Sequence, residues 1–536
     1  MASLPYRRTS QTSTQLLLLG LILLALSNYS YLVLRFVGQW NEGDTARITR
    51  SLYYAQQAHS VVDAPWAYTN GMGYTAVSLF VLEVTGLSPQ TLQSIVFPLI
   101  MAVVPIVVFV FYRALIGRTR EALLATLFVY IQPEFLWVTW RGSHERLIWI
   151  LTFITFFLLA KSFLDRRFAK VTRFVLLFYL VVFALISTNA FFASSFINAV
   201  LLNFGGGLIL LTLWRFHDTS AVLGVSNQIR RLLYVAGACI VLLYIFIFQI
   251  YPPAGGALNA LRTLIESISA LLLNFDVVSS NPYDYVRTAW TSTGVFIVLT
   301  LFNWIVLLSS LLVWIGGLSV FTRHGNALKE RNLPPLLLWL MYPSFALQLA
   351  VSAITDFAGV LGGNFQVRLF TPMLLIAIPL AAMGLVGLLK ALRIKWMRRA
   401  VVGVIAMGML WFSMAALLKA ANDPLLSNRW TFSTVPEKAA GDWAITHING
   451  ATVWTGIDER LVEAPIFYHP DLAVRDVRFD GFIPEPTTRY YLISSLEALR
   501  AARQGVSLPY VDNEELVYDN GEVSVYHQRP RTPYQR

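Results

Sequence analysis

The run LLLLGLILLALSNYSYLVLRF, Leu16–Phe36, and the segment WNEGDTARITRSLYY, Trp40–Tyr54, that follows three residues later decide what kind of molecule this is. The first is an apolar stretch of about 21 residues behind Arg7 and Arg8, the length a hydrocarbon core of ~30 Å asks of a helix. It is longer than a signal-peptide core and no small-residue cleavage pattern follows it, so it is expected to remain as a spanning helix. The second puts Glu42 and Asp44 one residue apart at a membrane surface. A polar loop leaving a membrane is the plain explanation. Partners elsewhere in the chain would supply a chemical one.

The rest of the chain repeats the first run. Of 536 residues 56% are hydrophobic and only 13% charged, with a mean hydropathy of +0.59, which excludes a soluble globular protein. Eleven apolar runs are expected to span, near Leu16–Phe36, Ser94–Tyr112, Ala122–Val138, Leu147–Ala160, Phe174–Thr188, Ser195–Trp214, Leu232–Ile250, Gly294–Val320, Pro334–Ile354, Phe370–Leu389 and Val401–Leu418. The fourth and fifth are short. A net charge of +11 does not point to nucleic acid, because the basic residues sit in short loops between apolar runs. With the N-terminus cytoplasmic, the inner segments hold 21 lysines and arginines and the outer loops before the tail hold 8, as the positive-inside rule requires. The single cysteine, Cys239, lies in an apolar run and forms no disulfide framework. Absence of organellar signals fits a prokaryotic plasma membrane.

Three outer loops have the length or composition for function. The loop of residues 37–93 exceeds what a helix connection needs. Within it Gly73–Leu87 is too short to span and reads as an interfacial or re-entrant segment. Thr139–Arg146 is the compact TWRGSHER. The loop of residues 251–290 carries an amphipathic Leu261–Phe275 and then VVSSNPYDYVRTAW, a plausible substrate clamp. Residues 1–419 form the membrane domain. Residues 420–536 carry 11 basic and 16 acidic residues and no membrane-length run, and are expected to be a small extracytoplasmic α/β domain. There Thr434-Val435-Pro436-Glu437 is a capping box opening a helix through Trp443. Ala451–Thr455 and Tyr490–Ser494 read as strands, Leu496–Arg503 as a helix, and Leu516–Tyr518 with Val523–Tyr526 as a hairpin around Asp519-Asn520-Gly521. His447, His469 and His527 are scattered and read as structural or solvated.

Asp44, His144, Glu145 and Arg368 come from distant parts of the chain, yet each falls at the outer end of a membrane run. Charged groups at that depth are costly unless used or paired. Carboxylates suit Mg²⁺ or Mn²⁺, and an imidazole tilts the choice toward Mn²⁺, so Asp44, Glu145 and His144 are candidate metal ligands. The alternatives are a salt bridge from Glu145 to Arg141 or Arg146 and a packing role for His144. Arg368 can hold a phosphate bidentately or snorkel to lipid headgroups. Arg141 is a second phosphate-binding candidate, with Glu42 and Asp284 as secondary site residues.

These residues resemble the catalytic subunits of oligosaccharyltransferases and, more broadly, the GT-C class of polyprenyl-phosphate-dependent glycosyltransferases. Glu42-Gly43-Asp44 is similar to the first-loop acidic motif of that class, and Gly142-Ser143-His144-Glu145 to the second-loop pattern of Gly-Ser, an aromatic and Asp. Val367-Arg368-Leu369-Phe370, with Pro372 and Pro379 behind it, is similar to the segment whose arginine contacts the lipid-linked phosphate. Val278-Ser279-Ser280-Asn281-Pro282 is a faint likeness of the long-loop motif, but its glutamate is missing and only Asp276 or Asp284 could substitute. The WWDYG acceptor signature is also missing, Gly441-Asp442-Trp443 being its nearest echo. The resemblance implies transfer of a sugar or glycan from a polyprenyl phosphate or diphosphate donor to a glycan, lipid or protein acceptor on the outer face. Asp44 and Glu145 would be catalytic and Arg368 would bind the lipid phosphate. The rival readings are a transporter or flippase for an amphipathic lipid and a non-catalytic subunit of an envelope complex.

Overall fold

The computed structural model describes residues 11–40, 42–62, 70–164, 168–215, 219–255, 293–323, 333–357, 365–426, 430–456, 460–472, 477–481, 488–509, 511 and 514–528. The first long helix, α1 (Gln11–Arg35), stops where Val37 and Gly38 take positive φ. The acidic stretch that follows is a helix and not an open loop. Glu42 caps α2 (Gly43–Ala58), accepting the backbone N–H groups of Asp44 and Thr45, and Asp44 adds negative charge to the first turn.

After α2 comes α3 (Gly73–Thr85), short as expected. It buries Tyr74, Ser78 and Leu82 and leaves Val77, Phe80 and Val84 exposed, an apolar stripe suited to a membrane interface. Close packing holds its start in place, because a Cβ on Gly73 would lie 2.9 Å from the Thr188 backbone nitrogen.

The helix α4 (Pro89–Ile116) contains a π-turn at Leu92–Val96, just before Pro98. Next come α5 (Thr119–Tyr130) and α6 (Pro133–Trp140), bent by 68° where Pro133 interrupts the helical bonding. The remaining long helices are α7 (Glu145–Leu164), α8 (Phe168–Thr188), α9 (Ala190–Arg215), α10 (Thr219–Ile245), α11 (Thr293–Arg323), α12 (Leu333–Phe357), α13 (Phe365–Ala391) and α14 (Lys395–Ala420).

Each of the eleven expected runs is helical, but the third, Ala122–Val138, is split between α5 and α6 at Ile131 and Gln132. Among the described residues eight helices are long and apolar enough to cross a membrane by themselves, or nine if α5 and α6 form one broken span. The helices over the fourth and fifth runs fall outside that set. The expected clamp at Leu261–Phe275, the segment after it and Asp284 lie outside the described residues.

After α14 the chain builds a mixed sheet. Helix α15 (Val435–His447) opens with both arms of the expected capping box. Strand β1 (Ala451–Gly456), helix α16 (Arg460–Tyr468), strands β2 (Val477–Gly481) and β3 (Thr488–Ser494), helix α17 (Ser495–Gln504) and the hairpin β4 (Glu515–Asp519) with β5 (Val523–His527) follow. The order is β2-β1-β3-β5-β4, with β1 parallel to both β2 and β3 and the β5 pairings antiparallel. Helix α16 and strand β2 are additions to the elements expected from sequence. Ala440, Ala444, Val453, Leu461, Leu492, Val523 and Val525 form its core.

This domain seats on the first inter-helix segment. Arg47 meets Glu463 at 2.5 Å, Arg50 donates to the Leu472 carbonyl, Gln90 to the Phe467 carbonyl, and the Tyr468 hydroxyl to Gln39. Beside that contact, Asp423 after α14 accepts from Arg35 and Tyr31 at the end of α1. The end of α1, the end of α14 and the sheet domain therefore share one face of the bundle. Lys390 at the end of α13 reaches buried Glu121 at the start of α5, so those termini share the other face.

Candidate active site

The end of α1 delivers Glu42 and Asp44 to the face that carries the sheet domain, and the α6–α7 turn delivers Arg141 to Glu145 to the same place. The Arg141 guanidinium joins them. Its Nη2 is 2.6 Å from Asp44 Oδ2 and 3.1 Å from Glu145 Oε2, and its Nε is 3.9 Å from Glu42 Oε1. The same Nε donates to Ser143 Oγ at 3.1 Å.

The turn is locked to α2 from below. Thr45 accepts the Gly142 N–H at 2.7 Å while donating its own hydroxyl proton to Glu42. Only glycine fits at Gly142, because a Cβ would lie 2.8 Å from both Gln93 Oε1 and Thr45 Cγ2. One short turn thus carries a guanidinium, a hydroxyl, an imidazole and a carboxylate toward the first turn of α2.

Exposure separates the three carboxylates. The Asp44 side chain is 46% exposed, that of Glu145 17% and that of Glu42 8%. Asp44 is open to an incoming molecule, whereas Glu42 spends its oxygens on the α2 amides. Burial, with the Asp44 charge beside it, pushes the Glu42 carboxyl above the ordinary range in spite of Arg141.

His144 is buried, and burial together with the positive charges of Arg141 and Arg368 pushes its imidazole down to about 3. It is therefore neutral at physiological pH. That interaction also brings Arg368 within electrostatic reach of the turn, and Arg368 itself is exposed near the start of α13. The α13 N-terminus is fixed by Asp356, which accepts from the Gln366 N–H at 2.7 Å.

Five of the residues singled out from sequence, Asp44, Arg141, His144, Glu145 and Arg368, are thus gathered on one face, with Glu42 beneath them as a helix cap. The salt bridge weighed as the alternative role of Glu145 is formed, and it goes to Arg141 and not to Arg146. Among the described residues no three His, Cys, Asp or Glu side chains are arranged to hold a metal ion, since Arg141 stands between the carboxylates. Thr45, Ser143, Gln93 and Arg146 also build this turn. The sequence signal for Arg146 is its place one step before the apolar run that starts at Leu147, next to Glu145, and for Ser143 the Gly-Ser pair.

The histidines of the sheet domain have ordinary duties. His469 pairs with Asp442 at 2.8 Å, His447 contacts the Trp443 carbonyl, and His527 packs on Tyr490. Trp443 is stacked against His447 and Tyr518, so Gly441-Asp442-Trp443 belongs to the domain's own packing.

No protein-family model and no curated protein sequence matches the chain. Solved structures do. The apo oligosaccharyltransferase of Archaeoglobus fulgidus superposes with a TM-score of 0.51 at 11% identity, over 90% of this chain and 70% of that one. The same fold is shared. The structure of that archaeal enzyme, AglB, with an inhibitory peptide and a dolichol-phosphate matches with a TM-score of 0.51 at 12% identity, over 90% and 69%. Its form tethered to an acceptor peptide containing the NVT sequon also matches at 0.51, with 10% identity over 97% and 74%. At this identity the likeness is one of fold alone.

Proposed function

We propose that the protein is a membrane glycosyltransferase that moves a sugar or glycan from a polyprenyl phosphate or diphosphate to an acceptor on the outer face of a plasma membrane. The observation that carries this reading is the meeting of Asp44, Glu145 and Arg141 on one face, with Arg368 in reach, in a chain folded like an oligosaccharyltransferase. One archaeal structure of this fold holds a dolichol-phosphate and another a tethered acceptor peptide, so both a lipid phosphate and an acceptor have precedent in the fold.

In the reaction the polyprenyl tail lies along the apolar helices and its phosphate rests on Arg368. An exposed Asp44 oxygen takes the proton of the acceptor hydroxyl or amide while the acceptor atom attacks the anomeric carbon. The bond from that carbon to the phosphate oxygen breaks, its electron pair stays on the phosphate, and the guanidinium charge offsets it. Arg141 and Ser143 hold Asp44 and Glu145 at this mouth.

Arg141 stands between Asp44 and Glu145, where a divalent cation would have to sit, so the guanidinium supplies the positive charge that balances these carboxylates and Arg368 offsets the departing phosphate. The missing acceptor signature leaves glycan, lipid and protein acceptors equal in chemistry.

The test is incubation of the purified protein with a polyprenyl-phosphate or diphosphate sugar and mixed acceptors, with and without divalent metal, following release of the free lipid phosphate. Release is the expected result. Movement of an intact donor between leaflets without release would mark a flippase and contradict the proposal.

A further inference from the structure

Arg146 is a cation placed where no substrate can reach it. Its side chain is fully buried, and its hydrogen-bond and ring partners are neutral, with the Glu42 carboxylate in electrostatic reach. Nη1 donates to the Gln93 carbonyl at 2.8 Å and to Gln93 Oε1 at 3.3 Å, Nη2 donates to the Trp140 carbonyl, and the guanidinium lies over the Phe97 ring. A buried charge costs several kcal/mol even after relaxation, so it persists where the fold depends on it.

The acceptors explain the dependence. Gln93 lies in the π-turn of α4, and Trp140 is the last residue of α6. Carbonyls at helix ends and π-turns are short of regular helical partners. One planar fork serves both, which a lysine ammonium would do poorly. Gln93 is aimed in turn by the Tyr74 hydroxyl at 2.6 Å and forms the floor under Gly142. The pins therefore lie on both sides of the turn that carries Arg141, Ser143, His144 and Glu145.

Resting on the glycosyltransferase reading, we infer that Arg146 is a positioning residue: with Gln93 and Tyr74 it fixes the α6–α7 turn so that Arg141 and Glu145 face Asp44. It touches no substrate. Losing it lets the turn relax, and a displacement of about 1 Å at such a site costs on the order of 10²-fold in rate.

The experiment uses the full chain in nanodiscs, comparing wild type with Arg146→Met, Arg146→Lys and Tyr74→Phe. Arg146→Met is expected to lower kcat by roughly 10²-fold with the donor KM within about threefold of wild type, and Arg146→Lys to recover part of the loss. A second readout needs no turnover. Ser143→Cys places a thiol at a buried position in a chain whose one cysteine, Cys239, is itself buried, and its alkylation should quicken about tenfold when Arg146→Met is added, by local opening of the turn.

Wild-type kcat in folded Arg146→Met protein, or an unchanged alkylation rate, overturns the inference. Should Arg146→Met fail to fold, Tyr74→Phe, which keeps every charge, decides: a several-fold fall in kcat at constant KM supports it and no change overturns it. If wild type releases no lipid phosphate, the transfer reading falls and alkylation alone decides whether Arg146 positions the turn.

Discussion

Among the described residues two clusters in which one arginine meets more than one carboxylate differ in how closed they are. In the sheet domain Arg460 grips Glu437 with both nitrogens, at 2.6 and 2.9 Å, and Glu497 at 3.1 Å. Ser494 and the Thr434 N–H also donate to Glu437. The side chains are 0–1% exposed, and Arg460 and its hydrogen bonds hold the Glu437 carboxyl below its ordinary range against the pull of burial. Every donor is turned inward.

Around Arg141 the same chemistry is half open, with one guanidinium serving carboxylates of which Asp44 is nearly half exposed. A closed cluster holds a fold together. One with an exposed carboxylate can meet an incoming molecule.

The comparison is sharpened by exchanging the two loci. Asp44→Asn is expected to cut transfer by roughly 10²–10⁴-fold while thermal unfolding stays near wild type, since it removes an acid–base group and one partly exposed pair. Glu437→Gln should do the reverse, destabilising the folded protein by about 3–5 kcal/mol in denaturant titrations and leaving the rate per folded molecule unchanged. Equal activity losses from the two, or equal stability losses, would erase the distinction.

Next in size is Arg368→Ala, expected to weaken binding of a polyprenyl phosphate by roughly 10- to 100-fold in a direct binding assay, the worth of a charge-assisted hydrogen bond. Unchanged affinity would assign Arg368 to headgroups instead.

His144 gives a pH test. Its imidazole is pushed down to about 3 in the fold from an ordinary value near 6.5. Between those limits the unfolded chain takes up a proton that the native state refuses. Its contribution to stability is therefore intact above about pH 6.5 and falls as pH drops, by roughly 1.4 kcal/mol per pH unit. His144→Asn should flatten that slope, and the activity profile should show no limb near 6.5. The smallest effect is expected of Arg47→Ala, whose guanidinium is 60% exposed where it meets Glu463, with a change in unfolding free energy of at most about 1 kcal/mol.

The membrane helices were legible because hydrophobic length is a direct demand of the bilayer. The capping box at Thr434 and the turn at Asn520-Gly521 were legible because they are local. α2 was not, since its sequence is polar overall and its start depends on the Glu42 cap, which in the sequence looks like any loop acid.

Asp44, Arg141, Glu145 and Arg368 could be named from sequence through their loop positions. Their geometry could not be read. Which carboxylate stays open depends on Thr45 binding Gly142 and on Gln93 filling the space beneath it, contacts between residues 97 and 53 positions apart for the Thr45–Gly142 and Gln93–Arg146 pairs. Arg146 and Arg118 look alike in the sequence. The first is buried beneath the site and the second meets Glu121 at the other face with half its side chain exposed.

The most direct measurement is single-turnover release of free lipid phosphate from a polyprenyl-phosphate sugar by wild-type and Asp44→Asn protein, both reconstituted and both shown to bind the donor. The expected result is release by wild type and a loss of at least about 10²-fold in the variant at unchanged donor binding. Equal release by the two proteins would contradict the assignment of Asp44 as the open carboxylate on which the chemistry turns.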